Sequence, residues 1–195
     1  MSLLPLILLD AILLPGEEMA LHVQEKGVKQ LVADCQVDSG VFVAVRKTEI
    51  SDKGYGTSIL IKKIIRKYPN GDMDIQIRAT DIVHIDHYYA RHPLKLYAAA
   101  VITPMATEIY RADKFLINEF KKFAFRYLPK DRLKDTITGN IFEIAVMLGL
   151  TDEQKARLLT LFNVQEMAYF MVNIMRTRAA LINQEAQLQG NYFLN

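Results

Sequence analysis

The sequence predicts an α+β chain in which strands come first and helices follow. Up to about residue 103, apolar residues alternate or form short blocks between turns, which is typical of strands. Beyond that point they recur at helical spacing to the end of the chain. We therefore expect a β subdomain at 1–103 and a helical-bundle subdomain at 104–195.

The composition is that of an ordered globular protein. Of the 195 residues, 51% are apolar and 24% are charged. The net charge of +2 drives no strong attraction to nucleic acid or to a membrane surface. The single cysteine, Cys35, excludes an intramolecular disulfide and a cysteine-based zinc cluster. This cysteine usage suits a reducing compartment, so we expect a cytoplasmic protein.

The first strands are expected within an apolar stretch at 3–14. This stretch resembles the core of a secretory signal, but no Lys or Arg precedes it, and Pro5 and Asp10 interrupt it. It is also much shorter than the ~20 residues that a membrane span requires. We therefore interpret it as a pair of buried strands.

The rest of the β half contains a hairpin signal. Asn70-Gly71 separates two strand-like runs, and both residue types tolerate positive φ. After it, alternate residues are apolar and share one face of a strand: Met73, Ile75, Ile77 and Ala79. We expect one helix at 25–37 and strands at 3–9, 19–23, 41–47, 57–67, from 73 onward and at 94–102.

Capping signals divide the second half into helices. Thr103 is a candidate N-cap with Pro104 at the first helical position. Thr151 and Gln154 match the capping-box spacing, and Gly149 is a candidate C-cap for the preceding helix. We expect helices at 104–128, 137–149, 152–162 and 164–189.

Several short motifs together resemble the N-terminal domain of Lon proteases. The first of them lie near the start of the chain: Leu4-Pro5-Leu6, Leu14-Pro15-Gly16-Glu17, and Leu21-His22-Val23 with Glu25. The later ones are Asp34-Cys35, Gly56-Thr57, Tyr68-Pro69-Asn70-Gly71-Asp72 and Ala145-Val146-Met147-Leu148-Gly149-Leu150-Thr151. The resemblance implies a PUA-like β pseudo-barrel with one helix, followed by an antiparallel helical bundle.

One departure from that family pattern bears on the sheet. Ala79 and Thr80 stand where the family has a glycine. Glycine often marks a β-bulge or a close backbone approach. We therefore expect the close backbone approach or the bulge to be missing at this position.

The resemblance implies substrate recognition without catalysis. In full-length relatives this domain precedes an ATPase module and a protease domain with a Ser-Lys dyad. This sequence has no G-x-x-x-x-G-K-[ST] phosphate loop and no G-x-S-x-G motif. We expect no enzyme activity and no cofactor, and a role in binding unfolded or client polypeptide, with a separate ATP-dependent protease as a candidate partner.

A metal site is not expected either. The densest cluster of potential ligands is His84-Ile85-Asp86-His87. On a strand, residues 84 and 86 share a face while 87 points to the other, and two ligands do not make a zinc site.

Two surfaces are candidates for binding. Met167, Met171 and Met175 form a stripe along one helix, which indicates either core packing or an adaptable apolar groove for polypeptide. The second surface is basic, with eight basic residues against three acidic ones: Arg111, Lys114, Lys121, Lys122, Arg126, Lys130, Arg132 and Lys134. It is either a solvated helix face or a patch for an acidic partner, centred on Lys121, Lys122 and Arg126. The alternative function is therefore an RNA-binding adaptor that uses the barrel and the basic 111–134 region.

Overall fold

The computed structural model describes residues 2–37, 40–49, 54–105, 110–130, 139–161 and 163–192. Contacts within the chain define two compact units, residues 1–107 and 108–195. The described strands are β1 (Ser2–Leu9), β2 (Glu18–Val23), β3 (Val41–Arg46), β4 (Tyr55–Lys67), β5 (Met73–Tyr89) and β6 (Ala98–Pro104). The described helices are α1 (Lys26–Val37), α2 (Lys114–Tyr127), α3 (Ile141–Leu148), α4 (Asp152–Leu159) and α5 (Val164–Tyr192). The predicted α+β class, with strands before helices, is confirmed; the subdomain limits at 103 and 104 stay a prediction.

The sheet of the first unit curls into a pseudo-barrel. Its strand order is β2-β5-β4-β3-β1-β6, and an additional pairing of β5 with β6 closes a ring of five strands. The long strand β5 makes this possible because its first half, Met73–Arg78, pairs with β2, while its second half pairs with β6. The pairing of β1 with β3 is parallel, and the other pairings are antiparallel.

The hairpin between β4 and β5 turns at Asn70-Gly71, as predicted. The Tyr68 N–H donates to the Asp72 carbonyl (2.9 Å), and the Gly71 N–H donates to the Tyr68 carbonyl (3.0 Å). This pattern is a three-residue loop with a glycine bulge, in which only the last loop position needs positive φ. Gly71 occupies it with φ of 82°.

The β-bulge that we expected to be missing is present. Ser58 pairs with Asp81 and the next residue, Ile59, pairs with Ala79, so Thr80 is the extra residue on β5. The expectation was wrong because only some types of β-bulge require a glycine, so its absence from the sequence does not exclude a bulge. The Thr80 hydroxyl donates to the Ser58 carbonyl at 3.2 Å.

Helix α1 packs against one face of the sheet. Its buried residues Leu31, Val32 and Cys35 belong to one cluster with side chains from β1 to β5. The start of the helix approaches the loop before β6 closely, since a Cβ atom on Gly27 would lie 2.6 Å from the Leu96 carbonyl oxygen. This contact leaves room only for glycine.

The first α-helix described in the second unit begins ten residues later than the predicted start at residue 104. Thr103 and Pro104 end strand β6, where they pair with His84 and Val83. Helix α2 begins at Lys114 instead, and Asp113 caps it by accepting a hydrogen bond from the Leu116 N–H at 2.7 Å. Proline fits the end of a strand as well as the first turn of a helix, so its presence did not decide between them.

The remaining helix boundaries follow their capping residues. Gly149 ends α3 in the left-handed conformation, with φ of 63°. Thr151 and Gln154 form both hydrogen bonds of a capping box at the start of α4. The start of α5 has half of such a box, since the Asn163 side chain accepts from the Glu166 N–H at 2.8 Å. The predicted C-cap at Gly149 and the predicted capping box at Thr151 are confirmed.

Candidate functional site

A groove of about 630 Å³ lies in the first unit between one edge of β1 and one edge of β2. Two continuous runs of chain, residues 6–11 and 19–25, form its two sides. The start of α1 and residues 96–98 line it near Leu6, and Lys47 lines it near the end of β1. Continuous lining by two strands means that backbone, and not only side chains, borders the groove.

Both strands keep an open edge at the groove. Strand β6 covers β1 only from Ser2 to Leu6, so Ile7–Leu9 pair with β3 alone among the described strands. Strand β2 pairs only with β5 in the described part of the chain. Every second residue of such an edge directs its N–H and C=O away from the existing sheet. The groove therefore offers hydrogen-bond donors and acceptors from two sides.

The floor of the groove is apolar. Ile7, Leu9 and Val23 are buried in the core cluster, and Met19 and Leu21 are partly buried against it. The alternate residues Ala20 and His22 are exposed. This alternation is the period-two pattern of a strand that has one buried face and one solvent-exposed face.

Charged groups mark the two ends of the groove. At the end of β1, the Asp10 carboxylate pairs with the Lys47 ammonium at 3.0 Å. At the end of β2, Glu25 is exposed next to the first turn of α1. Leu96, which is 57% exposed, lies on the rim close to Gly27 in the first turn of α1.

Hydrogen bonds fix the loop that forms this rim. The Leu96 N–H donates to Gln30 Oε1 at 2.9 Å, and the Tyr97 hydroxyl donates to Asp34 Oδ2 at 2.7 Å. The Lys95 ammonium lies 2.8 Å from the same Asp34 carboxylate. Hydrogen bonds from Lys95 and Tyr97 lower the pKa of Asp34, so the carboxylate that anchors the loop stays ionised.

A polar chain runs from the groove to the hairpin. His22 Nδ1 lies 2.5 Å from Asp74 Oδ1, and the Tyr68 hydroxyl donates to Asp74 Oδ2 at 2.7 Å. The hydrogen bonds from His22 and Tyr68 lower the pKa of Asp74, and the bond to Asp74 raises the pKa of Tyr68. The Arg66 guanidinium lies 4.8 Å from the centre of the Tyr68 ring. These contacts tie β2 to the base of the hairpin.

The methionine stripe lies inside the second unit. Met167, Met171 and Met175 are only 2%, 0% and 3% exposed. This placement agrees with the core-packing interpretation of the stripe. A binding role for these three residues stays a prediction, and it would require their side chains to become accessible.

The basic patch lies on the surface of α2. Lys121, Lys122 and Arg126 are all exposed. Lys122 pairs with Glu119 at 2.8 Å, and this hydrogen bond lowers the pKa of Glu119. Phe125, between these basic residues, is 92% exposed. Two further residues of the predicted patch, Arg132 and Lys134, lie outside the described residues.

The potential metal ligands do not converge. His84 Nδ1 lies 2.9 Å from Asp86 Oδ1, while the other Asp86 oxygen accepts from the Thr103 hydroxyl at 2.8 Å. Hydrogen bonds from Thr103 and His84 lower the pKa of Asp86. Among the described residues, no group of three His, Cys, Asp or Glu side chains is placed to hold a metal ion. The described helices also include none with the length and apolar character to cross a membrane.

The architecture of the chain is similar to that of solved structures. The chain is similar to a Lon N-terminal domain protein from Xanthomonas campestris, with a TM-score of 0.68 and 18% identity over 89% of this chain and 98% of that one. It is also similar to the N-terminal domain of a Lon protease from the Mycobacterium avium complex, with a TM-score of 0.62 and 17% identity over 90% and 98% of the two chains. No family model and no curated protein sequence matches the chain. The chain therefore has the fold of the Lon N-terminal domain.

Proposed function

We propose that this chain is a non-catalytic, Lon-type substrate-recognition module that binds unfolded or client polypeptide. The observation that carries the proposal is the groove between β1 and β2. An unfolded polypeptide exposes backbone donors and acceptors together with apolar side chains. The groove offers a partner for both, since its sides are open strand edges and its floor is apolar.

The likeness to Lon N-terminal domains supports the same role. Both similar structures are named as Lon N-terminal domains, and the fold is shared over nearly their whole length. A recognition module of this kind would deliver bound segments to an ATP-dependent protease, which we propose as a partner. Catalysis is not part of the proposed role, because the sequence has neither a phosphate loop nor a G-x-S-x-G motif. Hydrolysis of ATP or casein that persists through purification and disappears on a point mutation in this chain would contradict the non-catalytic role.

Binding of a reduced, carboxymethylated polypeptide tests the proposal. We expect weak binding with a negative heat-capacity change and little dependence on salt, because apolar burial is not screened by ions. The same polypeptide in its native, disulfide-bonded form is the control, and it should not bind. Equal binding of the native and unfolded forms would contradict recognition of unfolded chain.

A second candidate function is favoured by one observation on α2. Phe125 is 92% exposed and is flanked by Lys121, Lys122 and Arg126. An exposed aromatic ring among basic side chains is typical of surfaces that stack bases and neutralise phosphates. The alternative is therefore an RNA-binding adaptor. RNA binding of this kind would weaken steeply as the salt concentration rises. Each phosphate neutralised on a single strand contributes roughly −0.7 to the slope of the logarithm of the binding constant against the logarithm of the salt concentration.

A further inference from the structure

The geometry points to strand addition as the way the groove binds polypeptide. Resting on the proposed function, we infer that an extended apolar segment lies between β1 and β2, antiparallel to β2, with a basic residue at its N-terminal end beside Glu25. The inference specifies the conformation, the direction and the charge of the bound segment.

The direction follows from the pairing of the strands. Strand β2 is antiparallel to β5, β5 to β4 and β4 to β3, whereas β3 is parallel to β1. The two strands at the groove are therefore antiparallel to each other. An added strand must be antiparallel to one of them and parallel to the other. We assign the antiparallel contact to β2, because β2 offers six residues of open edge against three on β1, and antiparallel pairing is the slightly more stable form.

The side-chain pattern follows from the apolar floor. In an added strand, every second side chain points toward Ile7, Met19 and Leu21, and the others point to solvent. The segment that fits best is therefore alternately apolar. Six residues of β2 edge correspond to about 20 Å, which matches about six residues of extended chain.

The charge preference follows from the two ends of the groove. The Asp10 carboxylate is already paired with Lys47. Glu25 lines the opposite end, and the neighbouring Lys26 is not a lining residue. A segment antiparallel to β2 begins next to the C-terminal end of β2, where Glu25 lies. A Lys or Arg at the start of the segment is therefore complementary to the groove.

The test uses the whole chain and a fluorescently labelled heptapeptide, acetylated and amidated, in which one lysine precedes alternating valine and threonine. A second peptide has the same side chains but carries an N-methyl group on every second backbone amide. We expect the methylated peptide to bind at least about tenfold more weakly, since several backbone hydrogen bonds are lost while the side chains are unchanged. Equal binding of the two peptides would overturn strand addition while leaving the proposed function in place.

The charge preference has its own variant and control. Replacing the peptide lysine with glutamate should weaken binding by up to about fivefold at low salt, the range of an exposed ion pair. The variant Glu25→Lys should reverse this preference, whereas Glu185→Lys, on the exposed part of α5, should not change it. An unchanged preference in Glu25→Lys would overturn the assigned direction. If the chain binds neither the heptapeptide nor the reduced polypeptide, the proposed function itself fails.

Discussion

His22 on β2 and Asp74 on β5 are direct cross-strand partners, and their side chains meet at 2.5 Å. The Tyr68 hydroxyl donates a hydrogen bond to the second oxygen of the same carboxylate. The Tyr68 ring packs edge-on against the His22 imidazole, with the ring centres 5.7 Å apart. Since β2 has one strand partner in the described part of the chain, this cluster is a second link between the groove edge and the sheet. The stability of the edge is therefore expected to depend on the charge of Asp74.

Replacing Asp74 with asparagine tests that dependence. The folded protein holds the pKa of Asp74 below its ordinary value of about 3.9, through hydrogen bonds from His22 and Tyr68. The stabilisation is therefore complete above the unfolded pKa and is lost as the pH falls through the folded pKa. Asp74→Asn should lower the melting temperature at pH 7. The difference in melting temperature between the variant and the unmutated protein should shrink below about pH 4.

Thermal unfolding followed by circular dichroism at pH 7 and pH 3 measures this difference. Asp10→Asn is the matched control, because Asp10 is 87% exposed and its ion pair should contribute little. A melting-temperature difference for Asp74→Asn that is the same at both pH values would contradict the assigned role of its charge.

The hairpin glycine offers a test of backbone strain. Gly71 has φ of 82°, and the nearest atom to an added Cβ, Lys29 Nζ, is 3.8 Å away. A side chain therefore fits, and only the backbone conformation opposes it. Gly71→Val should destabilise the protein by about 1–3 kcal/mol in urea unfolding. Gly71→Asn should reduce the stability much less, because asparagine tolerates the left-handed region. An equal loss of stability in the two variants would show that the turn is misassigned.

Gly27→Ala should destabilise the protein, although alanine in place of glycine usually stabilises a helix. Alanine in place of a helical glycine ordinarily stabilises by roughly 0.5–1 kcal/mol. Here the added Cβ would lie 2.6 Å from the Leu96 carbonyl oxygen, so the loop at the groove rim must move. We predict a lower midpoint in urea unfolding and weaker peptide binding. A rise in the midpoint would mean that α1 and this loop are not in close contact.

The basic patch separates the two candidate functions. Lys121→Glu combined with Lys122→Glu should leave binding of reduced polypeptide almost intact, because neither residue lines the groove. Four phosphate contacts to single-stranded RNA would cost about fifty-fold in affinity over a fourfold rise in salt. Tight RNA binding with such a slope, abolished by the double variant, would favour the adaptor function.

Local signals in the sequence were sufficient where one residue type decides the structure. The turn at Gly71 and the capping box at Thr151 were predicted because positive φ and reciprocal hydrogen bonds need particular residues. The start of α2 was not predicted correctly, because Pro104 fits both the end of a strand and the first turn of a helix.

The groove could not be predicted in the same way. Alternation in β2 shows which side chains are apolar, but an open edge depends on which strands pair over long distances. Helical spacing likewise places Met171 in a stripe without showing whether that stripe is buried. The exposure of Phe125 could have been predicted, since it lies three and four residues after the basic residues Lys122 and Lys121 and so shares their face of the helix.

Site-specific photo-crosslinking tests most directly whether polypeptide binds between β1 and β2. A benzophenone amino acid is placed at Ala20, which is exposed on the β2 edge, or at Phe125, which is exposed on α2. After illumination with the reduced, carboxymethylated polypeptide, we predict crosslinks from position 20 and none above background from position 125. Crosslinks from position 125 alone would contradict the groove as the binding site.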